Sequence, residues 1–405
     1  MNKYLLSSFI VCGLLASGVP AVAQTRPVND VTLPEPFATP HTNNGPRVVD
    51  RPVGAELQVP EGFTVEVWAE DFLRPRFMLL GPGGEVLLSD SADEGAVYVL
   101  RDTDGDGRAD SRHLLVDGMY RPYGIAFWRD YVYVAGTVEI KRWKYDPASM
   151  KVVGPGEVVV SWPEFRPGHW TRTIVFNPKG DTMFVAIGSA SNVDAGEDPR
   201  RAAINTYTPD GKNHRIFAGG LRNVIGMDFY PGTDRLWAAV QERDALGDDL
   251  VPDYFTEVRE GEFFGWPYAY IGPHEDPRRR GERPDLVAKT RYPDVLIPSH
   301  SAVLDLEFYT GTQFPEKYRG GAFLAYHGSW NRSQRTGYKV TFVPFRDGRP
   351  VAGPEDFLTG WMTDPSSREV WGRPVGILQL PDGSLLVSDD GGNLVWRISY
   401  TGRSR

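Results

Sequence analysis

Basic and amide side chains recur at one position of a repeated segment of this chain. Six segments align on an apolar anchor residue, and Arg, His or Asn keeps standing just ahead of that anchor. One such cation on its own would more commonly cap carbonyls or pair with an acid. So many at one phase of a repeat favour an anion-binding pit. The set comprises Arg74, Arg76, Arg121, His169, Arg172, Arg222, Asn223, His300 and Arg373.

His169 is one of only seven histidines in the chain. A histidine at this position can act as a general base near neutral pH. The alternative is a histidine that only hydrogen-bonds neighbouring loops, and the spacing does not separate the two. His327 and His300 are weaker candidates for the same role.

Two acidic segments suit Ca²⁺, which prefers carboxylate and carbonyl oxygens. Glu242 to Asp249 holds four acids among eight residues, although a solvated acidic loop is an equal alternative. Asp102, Asp104, Asp106 and Asp110 occupy positions 1, 3, 5 and 9 of a loop with Gly at position 6. That spacing matches a Ca²⁺ loop, with Arg108 at position 7, but His113 stands where a final Glu is expected. An ordinary Asp/Gly turn is the alternative, and any ion here would be structural.

The elements that position these residues are β-hairpins. Each anchor is followed by a turn and then by a second apolar run, and successive anchors lie 47, 49, 53, 77 and 73 residues apart. This near-constant period predicts an all-β fold, a six-bladed β-propeller with four-stranded antiparallel blades. In such blades the first strand starts on the face where the second strand ends. The anchors are Met78, Ile125, Ile174, Met227, Leu304 and Ile377.

The same geometry predicts a second group of residues at that face, where the second strands end. Both groups should therefore line one mouth of the central channel. The strand-end group is Asp90, Gly136, Ser189–Asn192, Gln241–Asp249, His327–Arg332 and Asp389–Asn393.

The ends and the composition of the chain limit its predicted location, its domain organisation and its partners. Residues 1–23 read as a secretory signal cleaved after Ala23, which predicts a periplasmic or secreted protein. Residues 24–55 read as an extended leader, and 56–405 as the propeller. The apolar run of the signal is too short for a membrane span, and a net charge of −9 without a basic tract argues against nucleic acid.

The cysteine content and the missing motifs exclude several kinds of catalytic site. Cys12 is the only cysteine and lies inside the signal, so the mature chain has no disulfide, thiolate metal site or Fe–S cluster. Any redox chemistry must use a bound organic cofactor or a metal held by oxygen and nitrogen. The motifs of serine hydrolases, zincins, P-loop proteins and nicotinamide dehydrogenases are missing from the sequence.

Several long motifs resemble the sorbosone dehydrogenase family. They are F-A-G-G-L-R-N-V-I-G-M-D-F, Q-E-R-D-A-L-G-D-D-L-V-P-D-Y, F-F-G-W-P-Y, A-Y-H-G-S-W-N-R-S, G-Y-K-V-T-F-V-P-F and W-G-R-P-V-G-I. That family is a branch of the soluble quinoprotein sugar dehydrogenases, six-bladed propellers that use pyrroloquinoline quinone (PQQ) and Ca²⁺. The resemblance covers roughly residues 55–400.

The resemblance implies roles for individual residues. His169 would take the hydroxyl proton, and Arg222 would stabilise charge on the quinone oxygen. The remaining residues would hold the cofactor or its Ca²⁺. PQQ would be held by Arg222, Asn223, Lys339 and Arg373, with Arg74 and Arg121 nearby, and Ca²⁺ by the loop containing Arg243, Asp244, Ala245, Asp248 and Asp249.

The implied reaction oxidises an aldose, a sorbosone-like aldehyde or a related carbohydrate to a lactone or acid. Electrons would then pass to a separate acceptor, a cytochrome or a quinone. One departure concerns the histidine: Ser189 stands where the glucose-oxidising branch has an Asp. Either Asp194 or another acid substitutes, or His169 is less strongly activated.

Two other functions stay open at the level of sequence. A Ca²⁺-dependent lactonase could use a six-bladed propeller, but it needs a channel metal held by Glu, Asn and Asp side chains. A non-catalytic propeller could bind a sugar or cofactor without turnover. The missing Asp partner of His169 is the best support for that second alternative.

Overall fold

The structure, a computed structural model, describes residues 26–166 and 168–403. Six four-stranded antiparallel sheets follow one another along the chain around a central channel, which confirms the predicted all-β, six-bladed propeller. Each of the six anchors lies in the first strand of its blade. The predicted signal at residues 1–23 lies outside the described residues.

The blades are numbered 1 to 6 from the first complete sheet. Their strands are Pro75–Leu80, Val86–Asp90, Gly95–Arg101 and Ser111–Met119 in blade 1; Ile125–Trp128, Tyr131–Ala135, Glu139–Asp146 and Lys151–Ser161 in blade 2; Arg172–Phe176, Met183–Ile187, Ala203–Tyr207 and Arg215–Gly219 in blade 3; Asn223–Phe229, Leu236–Gln241, Asp253–Val258 and Val295–Ile297 in blade 4; Val303–Phe308, Ala322–Tyr326, Lys339–Val343 and Glu355–Leu358 in blade 5; and Pro374–Gln379, Leu385–Asp389, Leu394–Arg403 and Gly62–Ala69 in blade 6.

Short elements decorate the blades. The strand pairs are Arg47–Val48 with Glu369–Val370, Ala269–Tyr270 with His274–Glu275, and Phe345–Arg346 with Arg349–Pro350. The helical turns are Pro284–Val287, Pro163–Phe165, Pro277–Arg279 and Glu316–Tyr318.

Blade 6 combines strands from the two ends of the propeller. Gly62–Ala69 pairs antiparallel with Leu394–Arg403 and supplies the outermost strand of that sheet. This pairing closes the ring, so the first and last segments of the propeller hold each other in place.

Packing between blades explains the apolar runs seen in the sequence. The second strands, such as Val86–Asp90 and Met183–Ile187, are buried at every residue. A strand with a neighbouring blade on each face has no solvent-facing side, so its sequence reads as a continuous apolar run. The alternation typical of a half-exposed strand is therefore missing there.

An apolar cluster occupies the centre of the ring. Each blade contributes one residue at or just before its first strand: Phe77, Tyr123, Trp170, Ile225, Leu304 and Val375. The Tyr123 hydroxyl donates to the carbonyl of Leu304 at 3.4 Å, joining blade 2 to blade 5 across the ring. The cluster fixes the spacing of the inner strands, whose first residues carry the candidate site.

Candidate active site

Strand starts and strand ends meet at one mouth of the channel. The main-chain N–H of His169 donates to the carbonyl of Ser189 at 3.0 Å, which joins the start and the end of one hairpin. In blade 4, Asn223 Nδ2 donates to Gln241 Oε1 at 3.1 Å in the same way. The hairpin geometry inferred from the sequence thus brings the two residue groups together.

His169 is held by the main chain. Its Nδ1 lies 2.9 Å from the carbonyl oxygen of Ser189 and 3.1 Å from the hydroxyl of the same residue. A carbonyl oxygen only accepts, so Nδ1 carries the proton and Nε2 keeps its lone pair. Burial, together with the positive charge of Arg222, lowers the pKa of His169 to about 3. The ring is therefore neutral at pH 7 and can accept a proton at Nε2.

The acid expected as a partner for His169 lies elsewhere. Asp194 pairs with Arg279 at 3.3 Å, and 74% of its side chain is exposed. Ser189 itself orients the ring through its carbonyl. Main-chain atoms leave no trace in side-chain types, so the sequence could not reveal this arrangement.

Arg222 is buried at the centre of a polar network. Its Nη1 donates to the carbonyl of Glu242 at 2.7 Å, and its Nη2 donates to Asp244 Oδ2 at 3.0 Å. The other carboxylate oxygen of Asp244 accepts from Asn331 Nδ2 at 2.6 Å. Burial raises the pKa of Asp244, but Arg222 and the hydrogen bonds outweigh it and hold the pKa at about 2. Asp244 is therefore ionised and fixes the guanidinium.

Asn223 presents an unsatisfied acceptor. Its Oδ1 is buried and has no hydrogen-bond partner among the described residues. Gly188 makes the approach possible, because a Cβ at that position would lie 2.2 Å from Asn223 Oδ1 and 2.7 Å from the Cβ of His169. Nothing larger than glycine fits between the two functional side chains. A buried acceptor without a donor suits a bound ligand that carries an N–H or O–H group.

The opposite side of the mouth carries a second histidine. His327 Nε2 lies 2.8 Å from Asp390 Oδ1, and Asp390 also pairs with Arg76. Burial and the charge of Arg373 lower the pKa of His327 to about 3. Burial raises the pKa of Asp390, but Arg76 and His327 outweigh it and hold the pKa well below its usual range. This carboxylate-bound histidine is neutral as well.

Arg373 has no ion-pair partner among the described residues. It donates to the carbonyls of His327 at 3.2 Å and Gly328 at 3.3 Å, and it pairs with no carboxylate of the described residues. Burial lowers the pKa of Arg373, whereas the negative charge of Asp390 raises it. A half-buried guanidinium bonded only to carbonyls suits an anionic ligand.

Three predicted cofactor ligands are placed differently. Lys339 begins the third strand of blade 5, and its amine bonds to Asp356 of the outermost strand at 2.5 Å. Arg121 pairs with Asp93 at 2.6 Å and lies over Trp170. Arg74 is half-buried beside Asp93 and contributes to lowering the pKa of that carboxyl. For these residues a role in binding PQQ stays a prediction.

The predicted calcium loop uses most of its side chains for structure. The guanidinium of Arg243 is fully buried and pairs with Glu242 at 3.0 Å and Asp276 at 3.2 Å, so only its main chain could bind a metal. Asp248 accepts from the N–H of Ser333 at 3.0 Å. Asp249 pairs with Arg332 at 2.6 Å. Ala245 has a φ of 71°, which turns the chain sharply beside Asp244.

His300 lies against the same loop. Its Nε2 lies 2.9 Å from the carbonyl of Gly247, and its Nδ1 lies 3.2 Å from Asn331 Nδ2. Both ring nitrogens are therefore occupied by neighbouring groups, which leaves His300 in a positioning role.

The loop between the third and fourth strands of blade 1 gathers three acids. The carboxylates of Asp102, Asp104 and Asp106 offer oxygens that all lie within 4.8 Å of one another. Within residues 26–166 and 168–403, this is the one group of three or more His, Asp or Glu side chains close enough to share an ion. Asp110 instead bonds to the hydroxyl of Thr103 at 2.6 Å, and Arg108 pairs with Glu70 at 3.3 Å.

Comparison with known proteins assigns the family. The TrAA12-like family profile matches residues 57–252 and 283–401, most of the chain. The chain belongs to the TrAA12-like family. The resemblance to sorbosone dehydrogenases in particular stays a prediction.

Two relatives of this TrAA12-like protein match most of its length. A pyrroloquinoline quinone-dependent pyranose dehydrogenase of Coprinopsis cinerea is 25% identical over 400 residues, covering 83% of this chain and 53% of that enzyme. This chain thus spans about half the length of that relative. An uncharacterised protein of Borreliella burgdorferi is 28% identical over 362 residues, covering 86% of this chain and 92% of that protein.

Solved structures share the propeller. The iodide structure of a Trichoderma reesei AA12 enzyme superposes with a TM-score of 0.74 at 18% identity, covering 88% of this chain and all of that one (100%). The holo PQQ domain of the Coprinopsis cinerea pyranose dehydrogenase gives a TM-score of 0.72 at 21% identity, covering 85% and 97%. Both likenesses support the fold.

The segment between the two ranges of the TrAA12-like match has a structural role. Residues 253–282 fall between the two matched ranges. They supply Asp276 and the carbonyls of Pro267 and Ala269, which bind the Arg243 guanidinium at 3.2, 3.1 and 2.6 Å. This part of the insertion therefore anchors the loop that carries Asp244.

Among the described residues, no helix is long and apolar enough to cross a membrane.

Proposed function

We propose that this protein is a PQQ-dependent sugar dehydrogenase. One observation carries the proposal: neutral, half-buried His169, whose Nδ1 is bonded to Ser189, shares a channel mouth with the buried cation Arg222 and the half-buried cation Arg373. The family match and the pyranose dehydrogenase relative support the same chemistry. A base beside a set of cations suits oxidation of a hydroxyl group next to an anionic cofactor.

The residues of the mouth fit PQQ, which carries three carboxylates and an ortho-quinone. Arg373 offers a guanidinium without an ion-pair partner in the described part of the chain, and Arg222, which pairs with Asp244, adds a second positive charge. Asn223 offers a buried acceptor for an N–H or O–H group. When bound, PQQ would supply a two-electron acceptor for the hydride leaving the sugar carbon, and Ca²⁺ would act as a Lewis acid.

The chain's own residues would manage the proton and the charge. His169 Nε2 would accept the hydroxyl proton of the substrate as the carbonyl of the product forms. Arg222, fixed by Asp244 and the carbonyl of Glu242, would stabilise negative charge in the mouth without having to move. Burial and this neighbouring cation keep the imidazole of His169 unprotonated, so its Nε2 lone pair is available, and the same two effects weaken it as a base.

In each acidic loop, some residues would bind Ca²⁺ and others would support the loop. Main-chain oxygens of Arg243 and Ala245, with Asp244, are the proposed ligands of the cofactor-associated ion. Asp248 and Asp249 contact the loop that follows the second strand of blade 5, so we assign them to the support of that loop. Asp102, Asp104 and Asp106 would hold a second, structural ion, with Arg108 and Asp110 shaping the loop around it.

The substrate proposed is an aldose, a sorbosone-like aldehyde or a related carbohydrate, oxidised to a lactone or acid. Electrons would pass to a separate cytochrome or quinone, and the enzyme would work in the periplasm or outside the cell. The lactonase alternative is less well supported. Among the described residues the carboxylate cluster suited to a metal lies in an outer loop of blade 1, whereas the mouth holds buried arginines.

Reconstitution tests the proposal. Purified apoprotein is titrated with PQQ and CaCl₂ by calorimetry and then assayed with an artificial electron acceptor over a panel of aldoses and aldehydes. We expect stoichiometric PQQ binding and dye reduction with at least one sugar. Failure to bind PQQ would contradict the proposal. Binding without dye reduction on any substrate would instead favour a non-catalytic propeller.

A further inference from the structure

An exposed tryptophan stands on the rim of the mouth. Trp330 follows the second strand of blade 5 and is 43% exposed, although its neighbours Ser329 and Asn331 are buried at 0% and 3%. Large aromatic rings are seldom left in solvent between two buried neighbours, and such exposure marks binding surfaces.

The loop that carries Trp330 is fixed on both sides. Arg335, itself buried, donates to the carbonyl of Ser367 at 2.7 Å, to the carbonyl of Ser329 at 3.2 Å and to Asn44 Oδ1 at 2.8 Å. The carbonyl of Trp330 accepts from the N–H of Asn44 at 2.7 Å. The ring is therefore presented by a rigid backbone and does not need to be ordered when a ligand binds.

A second ring from the leader completes a corner. The ring centroids of His41 and Trp330 lie 6.4 Å apart, with their planes at 78°. The leader is held there because Asp248 donates its main-chain N–H to Thr39 Oγ1 at 2.7 Å. His41 and Thr39 precede residue 57, where the family match begins, so this corner is a feature of the chain's own leader.

The corner is continuous with the active site. Asn331, adjacent to Trp330, donates to Asp244, which binds Arg222. Arg332, on the same loop, pairs with Asp249 of blade 4 and offers hydrogen-bonding groups near the ring. An aromatic face with polar groups next to it matches a sugar ring, which has an apolar C–H face and a rim of hydroxyls.

We propose that Trp330 and His41 form a carbohydrate subsite for the second unit of an oligosaccharide, an inference that rests on the proposed sugar dehydrogenase function. The unit to be oxidised would lie in the mouth beside His169. The next unit would pack its C–H face on the exposed Trp330 ring at the rim. The preferred substrates would then be oligosaccharides.

Binding to the apoprotein tests this subsite separately from the redox reaction. Calorimetric titrations with glucose, cellobiose, cellotriose, maltose and maltotriose should show at least one oligosaccharide that binds more tightly than glucose. Trp330→Ala should weaken oligosaccharide binding roughly 3- to 10-fold, and Trp330→Phe should keep most of it. Leu114→Ala removes a side chain that is 49% exposed on an outer strand and is the matched control.

The outcomes distinguish the two proposals. Equal affinity for glucose and all oligosaccharides, or oligosaccharide binding unchanged in Trp330→Ala, would overturn the subsite even if the reconstituted enzyme oxidises glucose. Trp330-dependent oligosaccharide binding in a protein that never reduces the dye would support the subsite and contradict the dehydrogenase. Circular dichroism of each variant verifies the fold.

Discussion

Two histidines at the mouth are oriented by different groups. His169 donates Nδ1–H to the carbonyl of Ser189, whereas His327 is bound by the carboxylate of Asp390. A carboxylate stabilises a protonated imidazole more than a carbonyl does, so His169 gains orientation with little added basicity. However, the Nε2 of His327 is occupied by Asp390, while His169 keeps its Nε2 for a substrate. Geometry therefore favours His169 as the base.

Replacing His169 tests this assignment. In the reconstituted enzyme, His169→Gln should lower kcat by roughly 10²- to 10⁴-fold, because the substrate proton loses its acceptor. PQQ affinity, measured by calorimetry, should stay near that of the parent protein. His113→Gln, on the outer strand of blade 1, is the control and should leave kcat unchanged. A His169→Gln variant with normal turnover would move the base elsewhere.

Arg373 and Lys339 should differ in how much they contribute to PQQ affinity. Arg373→Gln should weaken PQQ binding roughly 10- to 100-fold, because a charge-assisted bond to a carboxylate is lost. Lys339→Gln should change the affinity little, since Lys339 already bonds to Asp356. Calorimetric titration with PQQ measures both variants. Equal losses in the two would show that Lys339 leaves Asp356 to bind the cofactor, as its sequence motif suggests.

At the scale of elements, the hairpins were predictable and several contacts were not. The period of the anchors and the apolar second strands predict the blades, since a strand between two blades must be apolar on both faces. The pairing of Arg222 with Asp244 follows from strand ends meeting at one mouth. The bond between His327 and Asp390, which are 63 residues apart, depends on how blades 5 and 6 are packed. No local pattern encodes it.

Contacts made by main-chain atoms and by the insertion could not be predicted from the sequence for a different reason. The carbonyl of Ser189 that orients His169 has no side-chain signature. The guanidinium of Arg243 has a second carboxylate partner, Asp276, which the insertion supplies. Long insertions lack the periodicity that makes blades predictable, so the contacts they make are visible only in the fold.

The acidic loop of blade 1 makes a prediction about a single element. If Asp102, Asp104 and Asp106 share a Ca²⁺ ion, 1 mM CaCl₂ should raise the Tm of the apoprotein by roughly 2 °C or more, through binding to the folded state. Asp104→Asn should lose most of this increase. Asp117→Asn, an exposed acid in the following strand, is the control and should keep it. Scanning calorimetry with CaCl₂ and with EDTA measures the effect; the same increase in all three proteins would assign it to another site.

Across the whole molecule, the two ends of the channel hold different ionisable groups. The mouth holds Arg222 and Arg373, whereas Asp228, Asp305 and Glu307 line a cavity of about 340 Å³ towards the other ends of the inner strands. The apolar cluster around Tyr123 and Leu304 occupies the ring centre. Burial, together with the neighbouring acids, raises the pKa of Glu307 well above its usual range. An anionic cofactor is thus favoured at one end only.

Asp305 makes a prediction about the stability of the whole propeller. Burial raises its pKa from 3.8 to about 7, and its carboxylate accepts from the N–H of Ile377 at 2.9 Å. A pKa raised in the folded state means that the protonated acid is favoured there. Its contribution to the free energy of unfolding is complete below about pH 4 and is lost as the pH rises towards 7.

Asp305→Asn should therefore flatten the pH dependence of stability. The amide oxygen can still accept from Ile377, but the amide never ionises, so the cost of a buried charge disappears. Equilibrium urea unfolding at pH 4 should show little difference from the parent protein. At pH 8 the variant should be more stable by roughly 1 to 4 kcal/mol. Asp117→Asn, at an exposed position, should show a difference that does not change with pH. A stability gain of Asp305→Asn that is the same at pH 4 and pH 8 would exclude ionisation of Asp305 as its cause.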